Sequence, residues 1–244
     1  MSVVAKSFSA AALTYDDQAR IQPLVAAKLA AKLGGKPARI LEIGCGTGGL
    51  SLHLARLFSD AELVVTDIAL PMLDLCQQRL GKRASFRLMN GEWPAAELGK
   101  FDLIVSSLAM QWFDDLPGSI SRLANMLKPG GRLAFAILGR ENFPEWRALL
   151  AEHNAEAGIH EYHDAASFPW PAGYTGEIEE ELIKESHISG VAFLKALKAI
   201  GAGMPRAEHE PISPVKMRRI LAASADGFAV TYHILYGNLT VRYS

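Results

Sequence analysis

A glycine-rich turn and an acid further along the chain have the types and spacing that could bind a nucleotide. Gly44, Gly46 and Gly48 directly follow the apolar run 40–43. Glycine lets the backbone take a positive φ and approach a ligand closely, beside the positive end of the following helix. Asp67 ends the next apolar run, where an acid can accept hydrogen bonds from ribose hydroxyls. These residues predict a pocket for a nucleotide-like ligand.

The same glycines fit two classes of nucleotide-binding protein. Gly44, Gly46 and Gly49 satisfy the G-x-G-x-x-G pattern of dinucleotide-dependent dehydrogenases, although that pattern alone is weak. Glu42 adds the form E-x-G-x-G-x-G, which resembles motif I of the class I methyltransferases that use S-adenosylmethionine (SAM). We favour the methyltransferase, and a dehydrogenase or a strand–turn–helix without ligand stays as an alternative.

The elements that must position these residues alternate along the chain. Strand-like apolar runs near 39–43, 61–67, 84–89, 101–106 and 131–138 are separated by helical patterns. This alternation predicts an α/β fold, a doubly wound Rossmann-like sheet of the class I methyltransferase type. The remaining predictions are a helix over about 16–33, a sharp turn at 128–131, two helices capped by Ser189 and Ser213, and a closing strand near 229–237.

The chain divides into four predicted parts. Residues 1–35 form an N-terminal helical segment, 36–140 the SAM-binding core, 141–176 an inserted lid, and 177–244 the C-terminal part of the sheet. Within the lid we expect a helix over 143–157 and then an irregular, aromatic-rich stretch. A loop of this length is usually functional, although a solvent-exposed insertion is the alternative. His160 and His163 in the lid are too few to indicate a metal site.

Composition limits the classes of partner. The 244 residues carry a net charge of −1 and are 50% hydrophobic, which suits one globular domain with a substantial core. Near-neutral charge argues against nucleic acid as the main substrate. The two cysteines, Cys45 and Cys76, lack metal-ligand or redox spacing, and no apolar run is long enough to span a bilayer. We therefore expect a cytoplasmic protein without a membrane partner.

Four further stretches narrow the family: 8–16, 106–112, 193–202 and 231–237. Together they resemble the malonyl-acyl-carrier-protein O-methyltransferases, the BioC enzymes of biotin synthesis. The Leu-Ala-x-Gln-Trp and Leu-Lys-x-Ile-Gly-Ala runs point most specifically to this family. The resemblance implies methyl transfer from SAM to the free carboxylate of malonyl-acyl carrier protein or malonyl-CoA. The alternatives are a SAM methyltransferase of another small acid, such as trans-aconitate, or of an unrelated metabolite, and a SAM-binding protein without catalysis.

The methyltransferase resemblance also implies a set of cofactor contacts. In the family an acid at the end of the third strand binds the adenine amino group, and here the matching position is Asn90, with Gly91 and Glu92 as neighbours that could substitute. Asn90 can accept a hydrogen bond but brings no negative charge. The predicted cofactor residues are Glu42, Gly44, Cys45, Gly46, Gly48, Asp67, Ile68, Met72, Asn90, Gly91, Glu92 and Ser107.

Carboxylate methylation makes small demands on the acceptor side. A carboxylate is already ionised at pH 7, so no general base is required, and catalysis can come from holding the reactants in line. We expect Tyr15, Gln111 and Trp112 to position the substrate and Arg140 to grip its carboxylate. The alternatives are a packing tyrosine, a core tryptophan and a surface arginine.

An acidic carrier protein would need a basic surface. We predict that six residues flanking the two late helices form a docking face, which would make binding salt-sensitive. The alternative is that they are ordinary solvated helix faces. The six residues are Lys195, Lys198, Arg206, Lys216, Arg218 and Arg219.

Overall fold

One mixed sheet organises the computed structural model, which describes residues 2–206 and 209–241. The outer ends of the predicted first and last parts, at 1 and 244, lie outside the described residues. The strands in chain order are β1 (Arg39–Ile43), β2 (Glu62–Asp67), β3 (Ser85–Leu88), β4 (Phe101–Ser107), β5 (Leu127–Leu138), β6 (Gly176–His187) and β7 (Phe228–Thr240).

The strand order is β3-β2-β1-β4-β5-β7-β6. The first five strands pair in parallel, whereas β7 runs antiparallel to both β5 and β6. The chain crosses from one side of β1 to the other between β3 and β4, and ligands of open α/β sheets bind at the carboxyl edge beside such a switch point. The predicted α/β fold is confirmed, and the glycine turn after β1 lies at that edge.

Helices cover both faces of the sheet. Alternate strand residues face opposite sides: Ile40 joins a core with the helices that follow β1, whereas Leu41 joins a core on the other face. Each fully buried aliphatic or aromatic side chain contributes about 1.5–3 kcal/mol. The helices are α1 (Val3–Ala11), α2 (Tyr15–Gln18), α3 (Ile21–Ala31), α4 (Gly49–Leu57), α5 (Leu70–Leu80), α6 (Leu116–Ala124), α7 (Pro144–Glu152), α8 (Gly190–Ala199) and α9 (Pro214–Ala222).

Three predicted boundaries were wrong. The helix expected over 16–33 is broken at Ala19, whose ψ of 95° is extended, so α2 and α3 are separate. Pro23 explains the break, because proline lacks an N–H and is tolerated only in the first turn of a helix. The helix expected over 143–157 ends at Glu152. The turn expected at 128–131 lies inside β5, where the register with β4 shifts and Gly130 has a φ of +75°.

The predicted late elements are confirmed. Ser189 Oγ accepts a hydrogen bond from the Ala192 N–H at 3.2 Å and begins α8, and Ser213 Oγ accepts one from Lys216 at 3.4 Å and begins α9. Both helices lie at the carboxyl edge of the parallel strands, because β6 ends and β7 begins there, with His187 paired to Phe228. They therefore stand on the same side of the sheet as the glycine turn.

Candidate active site

The glycine turn after β1 needs glycine for conformation and for space. Gly44, Gly46 and Gly48 have φ values of +68°, +54° and +98°. A Cβ on Gly44 would collide with the Cβ of Ala109, which follows β4. Gly48 instead packs toward α5, where an added Cβ would lie 3.0 Å from the Cys76 sulfur. The turn is therefore held against β4 on one side and α5 on the other.

Asp67, at the end of β2, is tied to this turn. Its Oδ2 accepts a hydrogen bond from the Gly46 N–H and its Oδ1 one from the Ala69 N–H, each at 2.8 Å. Burial raises the pKa of the carboxyl, while these two N–H groups oppose the rise. Asp67 thus fixes the turn relative to the start of α5.

Glu42, on β1, is the second acid at this edge and is only 1% exposed. Burial raises the pKa of its carboxyl to about 8, although a hydrogen bond from Ser51 opposes the rise. Its Oε2 has no hydrogen-bond partner among the described residues. A buried, unpartnered carboxyl oxygen is costly, so this group is suited to meet a polar or cationic ligand.

A cavity of about 560 Å³ opens over the turn, within the range of small-molecule sites. It is lined by all the predicted cofactor residues except Gly48. Asn90 and Glu92 both reach it, but their side chains also have structural partners: Asn90 Oδ1 accepts from the Glu92 N–H at 3.0 Å, and Glu92 Oε1 from the Asp115 N–H at 2.7 Å. The individual roles of these residues stay predictions.

The N-terminal helices cover the cavity, and sequence reasoning missed this contribution. Asp16 on α2 accepts a hydrogen bond from the Thr47 hydroxyl at 2.6 Å and pairs with Arg79 of α5. All three residues line the cavity, together with Phe8 from α1. The three polar residues come from separate parts of the sequence, so no local pattern signals their meeting.

The predicted acceptor residues separate into two groups. Tyr15 and Trp112 line the main cavity and also a smaller one of about 40 Å³ beside it, and Gln111 lines the smaller one. Burial raises the pKa of the Tyr15 hydroxyl, so the phenol stays protonated. Arg140 lies outside both cavities, with its side chain 67% exposed and 3.7 Å from Asp164. The geometry favours the surface interpretation of Arg140.

The segment 141–176 touches the acceptor side at two points. Tyr162 lines the smaller cavity, and His160 packs edge-on against Trp112 with ring centroids 5.3 Å apart. Burial lowers the pKa of His160. Further along, Phe168 stacks on Phe135 of β5 at 5.6 Å and belongs to the core of the sheet. The role of this segment as a lid stays a prediction.

The predicted docking residues divide by contact. Arg206 pairs with Glu156 at 2.9 Å, and Lys216 donates to the Asn154 carbonyl. The other four are exposed on α8 and α9: Lys195, Lys198, Arg218 and Arg219. Within residues 2–206 and 209–241, no group of three or more metal-binding side chains gathers, and no helix is long and apolar enough to cross a membrane.

Comparisons with known proteins agree with the geometry. A methyltransferase-domain family model matches residues 41–133. Among solved structures, the YcgJ protein from Bacillus subtilis has a TM-score of 0.61 at 15% identity, covering 91% of this chain and 99% of that one. A Haemonchus contortus phosphoethanolamine N-methyltransferase 2, in complex with SAM, has a TM-score of 0.56 at 15% identity, covering 97% and 57%. Fold and site therefore define a class I methyltransferase.

Curated relatives narrow the class. A malonyl-[acyl-carrier protein] O-methyltransferase of Magnetococcus marinus is 46% identical, covering 97% of this chain and 92% of the relative. The biotin biosynthesis bifunctional protein BioCD of Bordetella avium is 42% identical over 96% of this chain, which spans 51% of its length. This chain belongs to the malonyl-[acyl-carrier protein] O-methyltransferase family. The predicted family, the methyltransferase class and SAM as cofactor are confirmed.

Proposed function

We propose that this chain transfers the methyl group of SAM to the free carboxylate of a malonyl thioester carried by acyl carrier protein. The observation that carries the proposal is that Tyr15 and Trp112 lie where a glycine-lined cofactor cavity adjoins a smaller aromatic one. The curated relatives act on the same carrier-linked substrate by their names. The product would be the methyl ester that starts pimeloyl synthesis for biotin.

The described residues suit a cationic nucleoside cofactor. Gly44 and Gly46 leave room for close approach, and Asp67 stands where ribose hydroxyls can donate to it. Glu42 adds a buried carboxyl oxygen without a partner among residues 2–206 and 209–241. When bound, SAM supplies an activated methyl group on a sulfonium. The chain then has only to orient the acceptor and exclude water.

The acceptor side matches a substrate that brings its own charge. Among the described residues that line the two cavities, Arg79 is the single cation, and Asp16 already neutralises it. The side chains of Tyr15, Gln111 and Trp112 are neutral, so they position an anion by packing and dipoles. No residue has to remove a proton, because the acceptor carboxylate is ionised at neutral pH. Holding the reactants in line can contribute up to about 7–11 kcal/mol.

The carrier and the location of the reaction are the finer parts of the proposal. The exposed cations of α8 and α9 stand at the carboxyl edge, on the same side of the sheet as the cavity. We expect an acidic acyl carrier protein to bind there, with malonyl-CoA as the alternative carrier. A cytoplasmic location stays a prediction, and it rests on the two unpaired cysteines.

A transfer assay tests the proposal. Purified protein is incubated with methyl-labelled SAM and malonyl-acyl carrier protein, with acetyl-acyl carrier protein as the matched carrier without the carboxylate. Base-labile label on the malonyl carrier alone is the expected result. Label on neither carrier, despite measurable SAM binding, would contradict the substrate and leave another small acid as the acceptor.

A further inference from the structure

Two carboxyl groups face the main cavity with unequal support. Asp67 accepts two backbone N–H hydrogen bonds, each at 2.8 Å. Glu42 lies on the neighbouring strand β1 and is buried, and its Oε2 has no partner in the described part of the chain. Hydrogen bonds to a carboxylate favour its charged form, whereas burial without them favours the protonated form. Of the two acids, Glu42 is therefore the weaker holder of negative charge.

The groups around Glu42 do not supply a compensating cation. The strand β4 places Val105 beside it in the sheet, which cannot titrate. The described titratable or polar groups that face it or its cavity are Ser51 on α4, Cys76 and Arg79 on α5, Cys45 in the turn, Asp67 on β2, and Tyr15 and Asp16 on α2. Arg79 pairs with Asp16. Positive charge for Glu42 must come from a ligand.

We propose that Glu42 exchanges a proton for the cationic cofactor, being protonated in the cofactor-free protein and ionised in the complex with SAM. The proton passes to the buffer on binding. SAM carries a sulfonium and an ammonium group, so it brings into the cavity the positive charge that the surrounding residues lack. Burial raises the pKa of Glu42 to about 8, so the exchange falls in the neutral range. The inference concerns the cofactor and does not depend on the identity of the acceptor.

Calorimetry of the full chain tests this exchange. SAM is titrated at pH 7 in phosphate and in Tris, whose ionisation enthalpies differ, so a released proton makes the apparent binding enthalpy depend on the buffer. We expect close to one proton released per SAM. The Kd should also fall up to about tenfold per pH unit between about pH 6 and 7.5, and level off above about pH 8. Glu42→Gln should abolish both effects.

Two control variants identify the source of the proton. Cys76→Ser removes the nearest other titratable side chain, and Glu145→Gln removes a carboxyl that lies outside both cavities. Both should keep the release. Release that persists in Glu42→Gln, or disappears in Cys76→Ser, would overturn the inference. So would a wild-type binding enthalpy that is independent of the buffer, even if Glu42→Gln fails to fold. Proton release without methylation of malonyl carriers would contradict the proposed function alone.

Discussion

The two sides of the active-site cavity are built differently. On the cofactor side, polar groups at adjacent strand ends bond to one another: the Gly46 N–H donates to Asp67 Oδ2 at 2.8 Å, between residues 21 positions apart. On the acceptor side, aromatic side chains from separate segments meet by packing, as where Phe8 and His160 flank Trp112 at 5.7 and 5.3 Å. Cofactor binding therefore depends on backbone geometry, whereas acceptor selection depends on tertiary assembly.

Gly44→Ala should produce the largest change and strike the cofactor side. The new Cβ would collide with Ala109, and a φ of +68° is strained for alanine. We expect the Kd for SAM, measured by calorimetry, to rise about 100-fold, which corresponds to roughly 2.7 kcal/mol. Gly35→Ala is the control, because its φ is +85° but nothing lies within 4 Å of an added Cβ. An unchanged Kd for Gly44→Ala would break the comparison.

Glu42→Gln should stabilise the cofactor-free protein in a pH-dependent manner. Burial raises the pKa of Glu42 from 4.5 to about 8, so ionising it lowers the free energy of unfolding progressively across that window. The deficit is absent below pH 4.5 and complete above about pH 8. We expect the variant to raise the unfolding temperature by several degrees at pH 8, and by about one degree or less at pH 5. Equal shifts at both pH values, in scanning calorimetry without SAM, would contradict this.

Tyr15→Phe should separate the two sides of the cavity. Losing the hydroxyl should lower kcat about tenfold through poorer positioning of the acceptor, while the Kd for SAM stays within about twofold. Steady-state kinetics and calorimetry measure the two quantities. Tyr174→Phe makes the same chemical change outside both cavities, where the hydroxyl donates to Asn125 Oδ1 at 3.0 Å. If both variants lose the same activity, the hydroxyl of Tyr15 has no special role.

Charge reversal on α9 should give the smallest effect. In Arg218→Glu/Arg219→Glu we expect KM for the malonyl carrier protein to rise about threefold to fivefold at low salt, with kcat unchanged. The control is Lys36→Glu/Lys82→Glu, which changes two exposed lysines ahead of β1 and β3, at the opposite edge of the sheet. A KM that does not change at low salt would leave these arginines as ordinary solvated residues.

The cofactor side was predictable because its information is local. The glycine turn joins one strand to the next helix, and Asp67 ends the adjacent strand, so spacing alone places them together. The strand order followed from the same alternation. Eleven of the twelve predicted cofactor residues line the cavity, and Gly48 is the exception because it packs toward Cys76.

The acceptor side was less predictable because its contacts are remote. Asp16 and Arg79 are 63 positions apart, and Tyr162 reaches the smaller cavity from an irregular segment. Arg140 follows β5, as a substrate-binding arginine could, yet its side chain points to Asp164 at the surface. The break at Ala19, which sets Tyr15 apart from α3, was signalled by Pro23 and overlooked.

Two hydrogen bonds that hold the N-terminal helices to α8 and the loop after it bear on how the protein is made. Ser7 Oγ donates to the Gly201 carbonyl at 2.9 Å and Thr14 Oγ1 to the Ala199 carbonyl at 2.8 Å, across 194 and 185 positions of sequence. During synthesis the glycine turn and Asp67 emerge early, but the cover gains these anchors only after residue 201 has left the ribosome. Closing so long a loop is also entropically unfavourable. A nascent chain should therefore carry the cofactor motif well before it can retain the cofactor.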